Sequence, residues 1–470
     1  MKYAACLLGM FLLFSCTEEK QERKPNIIFI LADDLGYGDL GCYGQKQILT
    51  PFLDQMAKEG ILFTNHYAGS TVCAPSRSAL ITGKHTGQTR VRGNAKVPLL
   101  AEDTTVAELM KQAGYVTGMF GKWGLGEVTS TGQPNDQGFD EFVGYLSQVR
   151  AHNAYPEWIW QNKDTVKLDN VVKYVTETYA AGIGGIATEK NTHTQNIFTA
   201  KAIEFIEAKK DSAFFLYVPY TLPHANNEAR HFDAIGMETP KLLGYDTIAS
   251  WNDTEKAFAS AVTCLDSDVG KILSKLKELN LNENTLVIFT SDNGPHHEGG
   301  HDDKFFNSSG LLRGTKRDVY DGGFREPFIA RWPGKIQPGT TSDHTSAFWD
   351  FMPTACELAG VKPPSDINGK SYLNALLGKP QEKHDYLYWE FYEQGGKQAV
   401  RLDQWKGVRL GVQANPDAPI ELYDVVADPG ETNNVADQNP EVVRRINGIM
   451  VEAHVFSPDF NFEFENKAVQ

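Results

Sequence analysis

The chain has 470 residues, 41% of them hydrophobic and 22% charged, a globular balance long enough for one large core and a smaller second domain, and it excludes a disordered chain. Its formal net charge of −15 argues against nucleic acid as a partner and against an anionic membrane surface gripped by the protein body, but it allows an anionic substrate in a locally basic pocket. The six cysteines include no CxxC pair, so they indicate neither a zinc site nor a disulfide framework.

Residues 1–15 carry a single charge, Lys2, followed by an apolar run from Ala4 to Phe14, which are the two parts of a secretory signal. The run is too short to span a bilayer. Leu13, Phe14, Ser15 and Cys16 resemble a bacterial lipobox, which implies cleavage before Cys16 and lipidation of that residue. The expected location is therefore beyond the inner membrane, lipid-anchored in the bacterial outer membrane or periplasm, with residues 16–24 as a linker. With Cys6 leaving in the signal, Cys42, Cys264 and Cys356 remain for at most one bridge once Cys16 and Cys73 are otherwise used.

From Pro25 onward short apolar runs alternate with longer amphipathic segments, the pattern of an α/β domain with a mostly parallel sheet. Strands are predicted at 26–32, 115–121, 213–220 and 285–291, and helices at 51–59, 76–83, 104–113, 194–209, 252–279 and 347–359. Residues 130–190 and 225–250 show no period and read as loops over the sheet edge. Past Gly378 and Pro380 the pattern changes to short strands (385–391, 398–404, 405–411 and 421–426) and a helix near 440–454. This divides the chain into a catalytic α/β domain, 25–380, and a C-terminal α+β subdomain, 381–470.

Polar residues follow each predicted strand of the large domain: Asp33 and Asp34, then Lys122, then His224, then Asp292 and Asn293. Open α/β sheets bind ligands beyond the carboxyl ends of their strands, so these residues are expected to converge. Neighbouring strand residues point to opposite faces, so Asp33 and Asp34 can share one ion only if the strand has already broken into a turn. Three carboxylates and an amide are hard oxygen donors that favour Ca²⁺ or Mg²⁺ over zinc or copper.

The stretch TVCAPSRSALITG, 71–83, places Cys73 where a helix should begin, with Pro75 suited to the first turn. Cys73 and Arg77 are four apart and share a helix face. Unpaired backbone N–H groups at such a terminus favour an anion.

Cys73, Pro75, Ser76, Arg77, Leu80, Thr82 and Gly83 match the signature CxPSRxxLxTG, and the chain resembles the type I, arylsulfatase-like sulfatases, among them the bacterial carbohydrate sulfatases. The resemblance implies an alkaline-phosphatase-like fold, a large mostly parallel sheet flanked by helices with a smaller antiparallel C-terminal sheet. It implies that Cys73 is oxidised to formylglycine by a generating or maturase enzyme, giving an aldehyde whose hydrate attacks sulfur. It favours Ca²⁺, held by Asp33, Asp34, Asp292, Asn293 and the converted residue 73. Lys122 in GKWGLG and Lys316 in LRGTKRDVYDGG match lysines that touch sulfate, and His224 in TLPHA matches a histidine facing the leaving oxygen. Many members read GKWHLG, whereas Gly124 stands here in place of that histidine; His152 and His85 are the candidates to replace it.

The implied reaction is hydrolysis of a sulfate ester, of a sulfated glycan, to alcohol and inorganic sulfate. His85, His152 and His296 are candidate substrate contacts, and Tyr155, Trp158 and Trp160 form an aromatic group that a sugar ring could stack on. Two alternatives accompany this reading: a phosphatase or phosphonate monoester hydrolase of the same superfamily, and a non-catalytic lipoprotein that binds sulfated glycans through an unconverted Cys73.

Overall fold

The structure, a computed structural model, describes residues 23–176 and 183–468. The signal, the lipidation site Cys16 and most of the linker lie outside the described residues. The large domain is built on an eleven-stranded mixed sheet. Its strands are β1 (Asn26–Ala32), β2 (Ile61–Tyr67), β3 (Val116–Lys122), β4 (Glu141–Tyr145), β5 (Trp158–Gln161) and β6 (Asp164–Lys167), then, after a separate hairpin of β7 (Val171–Tyr174) and β8 (Gly185–Glu189), β9 (Phe214–Pro219), β10 (Thr285–Ser291), β11 (Arg325–Arg331), β12 (Thr340–Ser342) and β13 (Ser346–Ala347).

The spatial order is β12-β2-β11-β10-β1-β9-β3-β4-β5-β6, with β13 also on β2. The five central strands, β10 to β4, are mutually parallel. β11 joins β10 antiparallel on one side, and β5 joins β4 antiparallel on the other.

β1 is apolar throughout after its first residue because both faces of the sheet are covered, as parallel strands require. Ile27, Phe29 and Leu31 enter one core with α2 (Cys73–Thr82), α3 (Val106–Gln112) and α6 (Phe351–Ala359). Ile28, Ile30 and Ala32 enter the other core with α1 (Pro51–Lys58), α4 (Thr194–Lys209) and α5 (Asp253–Glu278). Helix ends follow local chemistry: Thr105 and Glu108 form a capping box at α3, and Asn252 caps α5 by accepting from the Glu255 N–H.

The segment 130–190, read as loops, instead contains β4, β5, β6, β7 and β8. These are short strands, and β6, at the edge of the large sheet, is exposed along its whole length, so it carries no buried face to impose alternation. Helix α2 begins at Cys73, three residues before its predicted start.

The C-terminal sheet is antiparallel, β14 (Leu387–Phe391), β15 (Lys397–Leu402), β16 (Trp405–Leu410) and β17 (Ile420–Asp424) in sequence order. One face shares the first large core through Trp389, Ala399 and Val408. The other packs through Tyr388, Val400 and Leu422 against a helix at Pro440–Ala453.

Candidate active site

β1, β3, β9 and β10 deliver their trailing polar residues to one end of the sheet. β1 ends at Ala32, and Asp34 adopts a left-handed φ of +66°, a conformation that aspartate tolerates better than most residues. This is the break that two adjacent aspartates need in order to face one point. Asp34 N–H donates to Asp292 Oδ1 (3.1 Å), and Asn293 Nδ2 donates to Asp34 Oδ1 (2.7 Å), which brings the exits of β1 and β10 together.

Cys73, the first residue of α2, lies in this cluster, its Sγ 3.3 Å from Asp33 Oδ1 and 3.9 Å from Asp34 Oδ1. One turn on, Arg77 donates from Nε and Nη2 to Asp292 Oδ2 (2.9 and 2.7 Å) and from Nη1 to the Lys122 carbonyl (2.6 Å). Lys122 Nζ donates to Asp33 Oδ2 (2.8 Å) and Lys316 Nζ to Asp34 Oδ2 (2.8 Å). All of these side chains are buried.

Lys316 comes from a glycine-rich loop between β10 and β11. A Cβ on Gly294 would stand 2.1 Å from the Gly322 carbonyl oxygen, so only glycine lets the exit of β10 touch that loop. The Lys316 N–H then donates to the Pro295 carbonyl (2.9 Å).

His224 donates from Nδ1 to the Ala225 carbonyl (2.6 Å), leaving Nε2 to accept from Lys316 Nζ (3.3 Å). Burial and the Lys316 charge push its pKa well below the ordinary value, so the ring is neutral at rest. Burial opposes ionisation of Asp33 and Asp34 as well, but Lys122 and Arg77 hold the first, and Lys316 the second, below the usual carboxylate range. Burial and the carboxylates of Asp292 and Asp33 drive the Cys73 thiol far above its ordinary pKa. The anion preference expected of a helix N-terminus is thus overridden here, and the unmodified residue is a thiol.

The oxygens of Asp33, Asp34 and Asn293 suit a hard cation, while the Cys73 sulfur and the His224 nitrogen beside them are softer donors. One ligand atom each from Asp33, Asp34, Cys73 and His224 lie within 4.8 Å of one another, and Asn293 Oδ1 is buried with no hydrogen-bond partner among the described residues. A buried amide oxygen without a donor is costly unless a cation meets it. Arg77, Lys122 and Lys316 balance Asp33, Asp34 and Asp292 in charge, so a divalent ion would leave the site net positive toward an anionic ester.

The site opens into a cavity of about 910 Å³ lined by Cys73, Lys122, His152, His224 and Lys316 among others. His152 stacks on His224 (ring centroids 4.8 Å apart, 14° between planes) and bonds Glu228 (3.1 Å). His296 lies behind His224, donating to the Pro223 carbonyl and accepting from the Glu298 N–H, and its neighbour His297 lines the cavity instead. His85 packs between Trp349 and Tyr388, away from the cavity lining. The expected aromatic platform is also elsewhere: the Arg150 guanidinium covers Trp158 (3.9 Å), and Tyr155 packs on His193.

Sequence reasoning passed over Glu298, which accepts from Lys316 Nζ (3.0 Å) and Arg317 Nη1 (2.7 Å) and orients both. Its signal was present in the HHEGG run that follows β10. Gln148, in the cavity wall, had none.

A buried thiol at a helix N-terminus, flanked by buried cations and carboxylates at the carboxyl ends of a parallel sheet, suits a hydrolase of tetrahedral anionic esters. A model of the Sulfatase family matches residues 25–361, and one described as N-sulphoglucosamine sulphohydrolase, C-terminal, matches residues 314–453. The chain belongs to the sulfatase family and is a sulfuric ester hydrolase. It is 31% identical to an N-acetylgalactosamine-6-O-sulfatase of Bacteroides thetaiotaomicron, over 94% of this chain and 97% of that one. It is 33% identical to human arylsulfatase A, over 90% of this chain and 86% of that one. Among solved structures, one described as Ps i-CgsB in complex with k-i-k-neocarrahexaose superposes with a TM-score of 0.78 at 26% identity, covering 95% of this chain and 96% of that one.

Proposed function

We propose that this sulfatase removes sulfate from a sulfated carbohydrate, with a formylglycine made from Cys73 as nucleophile and Ca²⁺, or Mg²⁺ in its place, held by Asp33, Asp34, Asp292 and Asn293. The observation that carries the reading is Cys73 Sγ lying 3.3 Å from Asp33 and 3.9 Å from Asp34, with Lys122 and Lys316 each bonded to one of those aspartates. Once converted, residue 73 supplies a hydroxyl that attacks sulfur, and the ion, when bound, supplies positive charge beside the sulfuryl oxygens.

The remaining work falls to this chain's own side chains. Arg77 braces Asp292 and the Lys122 carbonyl, so the end of β3 and the start of α2 keep a fixed spacing. Lys122 and Lys316 donate to the sulfuryl oxygens and offset the charge that grows there. The proton for the departing alcohol oxygen is held between Lys316 Nζ and His224 Nε2, 3.3 Å apart. Burial of the cluster keeps bulk water from competing for these bonds.

A carbohydrate substrate is supported by the relatives' names and by a cavity wide enough for a sugar ring. The test is desulfation of a panel of sulfated monosaccharides and glycan fragments, with the mass of the peptide around residue 73 measured in the same sample. Sulfate release from at least one sugar, with that peptide lighter than its thiol form, is expected. Failure of fully converted enzyme on every sugar would remove the carbohydrate reading.

A maturation enzyme that converts Cys73 is the implied partner. Export and lipid anchoring through Cys16 complete the proposal, and loss of labelled fatty acid on Cys16→Ala checks the anchor.

A further inference from the structure

Gln148 occupies an unusual position. Gly124 has a left-handed φ of +81°, and a Cβ built on it would stand 1.7 Å from Gln148 Nε2. The Gln148 side chain thus fills the room that any side chain at position 124 would need. The chain is held in this arrangement by backbone bonds, Trp123 N–H to the Tyr145 carbonyl (2.9 Å) and Gly124 N–H to the Leu146 carbonyl (3.0 Å), which continue the β3–β4 pairing past its end.

Gln148 is only 8% exposed, and among the described residues neither Oε1 nor Nε2 has a hydrogen-bond partner. It lines the same cavity as Cys73, Lys122 and His152. Buried amides are almost always paired, so a glutamine with both ends unpaired in the wall of a substrate cavity is a group awaiting its partner.

The chemistry of the partner follows from the amide. Sulfuryl oxygens only accept hydrogen bonds and would satisfy Nε2 alone, leaving Oε1 unpaired. Sugar hydroxyls both donate and accept, so one or two of them satisfy both atoms. We propose that Gln148 is a specificity-determining residue that reads the hydroxyl groups beside the scissile sulfate ester. The proposal rests on the carbohydrate reading above.

Gln148→Met keeps the length of the side chain and removes both polar atoms. Its kcat/KM is to be measured on a sulfated monosaccharide that the parent hydrolyses, on that sugar's monodeoxy analogues, and on nitrophenyl sulfate. The loss on the sugar is expected to exceed the loss on nitrophenyl sulfate by about 10-fold or more, because a site built to pair a hydroxyl discriminates strongly against its absence. The parent's preference for the intact sugar over one deoxy analogue is expected to collapse in the variant. Because the Gln148 amide has no partner among the described residues, the melting temperature should stay equal or rise, which a merely structural role would not allow.

Equal losses on sugar and aryl substrates, an unchanged preference over every deoxy analogue, or a lowered melting temperature would each overturn the assignment while leaving the carbohydrate reading intact. A parent that hydrolyses nitrophenyl sulfate and no sugar sulfate would overturn both.

Discussion

Lys406, on β16, is fully buried, its Nζ 2.7 Å from Asp321 Oδ1 and 3.5 Å from Glu431 Oε1. Asp321 closes the loop that carries Lys316, and its N–H donates to Glu431 Oε2 (2.7 Å). The same loop is tied to the C-terminal sheet by Arg313 on Tyr423 and by Lys397 on the Arg317 carbonyl (2.7 Å). The C-terminal sheet therefore sets the position of the loop that carries Lys316, and Lys406 is a buried anchor of that contact. Lys406→Met keeps the volume and removes the charge. At an effective dielectric of about 20, the lost attraction is about 6 kcal/mol toward Asp321 and about 5 toward Glu431. The lysine's own desolvation cost disappears with it, so a net loss of about 3–5 kcal/mol is expected, typical of one partner removed from a buried ion pair. Burial already pushes Glu431 up to about 7, with Lys406 pulling it down and Asp321 adding to the rise. Without Lys406, Glu431 rises further above its unfolded value, and Asp321, held below its ordinary value against burial chiefly by Lys406, loses much of that stabilisation. A raised carboxylate costs stability as pH climbs above its unfolded value, so the deficit should be larger at pH 8 than at pH 6. Urea unfolding followed by tryptophan fluorescence at both pH values measures this, with kcat on nitrophenyl sulfate reporting the loosened Lys316 loop. An unfolding free energy within about 1 kcal/mol of the parent at pH 8 would refute the anchoring role.

Cys73→Ala, and Cys73→Ser wherever the mass of its peptide shows an unoxidised serine, should both abolish sulfate release with folding intact, since a methyl or a hydroxyl cannot form the aldehyde hydrate; an unoxidised serine variant turning over near the parent rate would end the formylglycine mechanism. Chelation should remove activity, with Ca²⁺ restoring it better than Zn²⁺, as the oxygen donors require; full activity after thorough metal stripping would contradict this. His224→Ala should lose about 10²- to 10⁴-fold on sugar sulfates and far less on nitrophenyl sulfate, whose leaving group departs without a proton; equal losses would remove His224 from proton delivery. Burial opposes protonation of His454, but its bonds to Glu390 and Glu465 raise it to about 9. The stability it adds is complete below its unfolded value of about 6.5 and is lost as pH rises through about 9, so His454→Gln should flatten the fall in melting temperature between those pH values, and identical pH profiles would show that the pairing adds nothing.

Much of the scaffold was legible because its signals are local. Residues 26–32 and 285–291 became β1 and β10 within the predicted limits, since strands buried on both faces must be apolar without interruption. Helix α4 fell at 194–209 as predicted. Polar residues placed directly after such strands can only emerge at the sheet's carboxyl end, so Asp33, Lys122, His224 and Asp292 were legible as a group before any geometry was known. What the sequence could not express depends on chain segments far apart. The edge strand β6 is exposed, its neighbour β5 is only partly buried, and the two pair on few residues, so no periodicity marks them. Whether His85 or His152 reaches the site is decided by which ring the fold stacks on His224, and that is His152. The left-handed turn at Asp34, the grip of Glu298 on Lys316 and the unpaired amide of Gln148 over Gly124 all arise from contacts between segments at least 18 residues apart or from the backbone path such contacts impose. Propensity and motif act along a few neighbouring residues, whereas the direction and pairing of each functional atom is set by packing across the whole sheet.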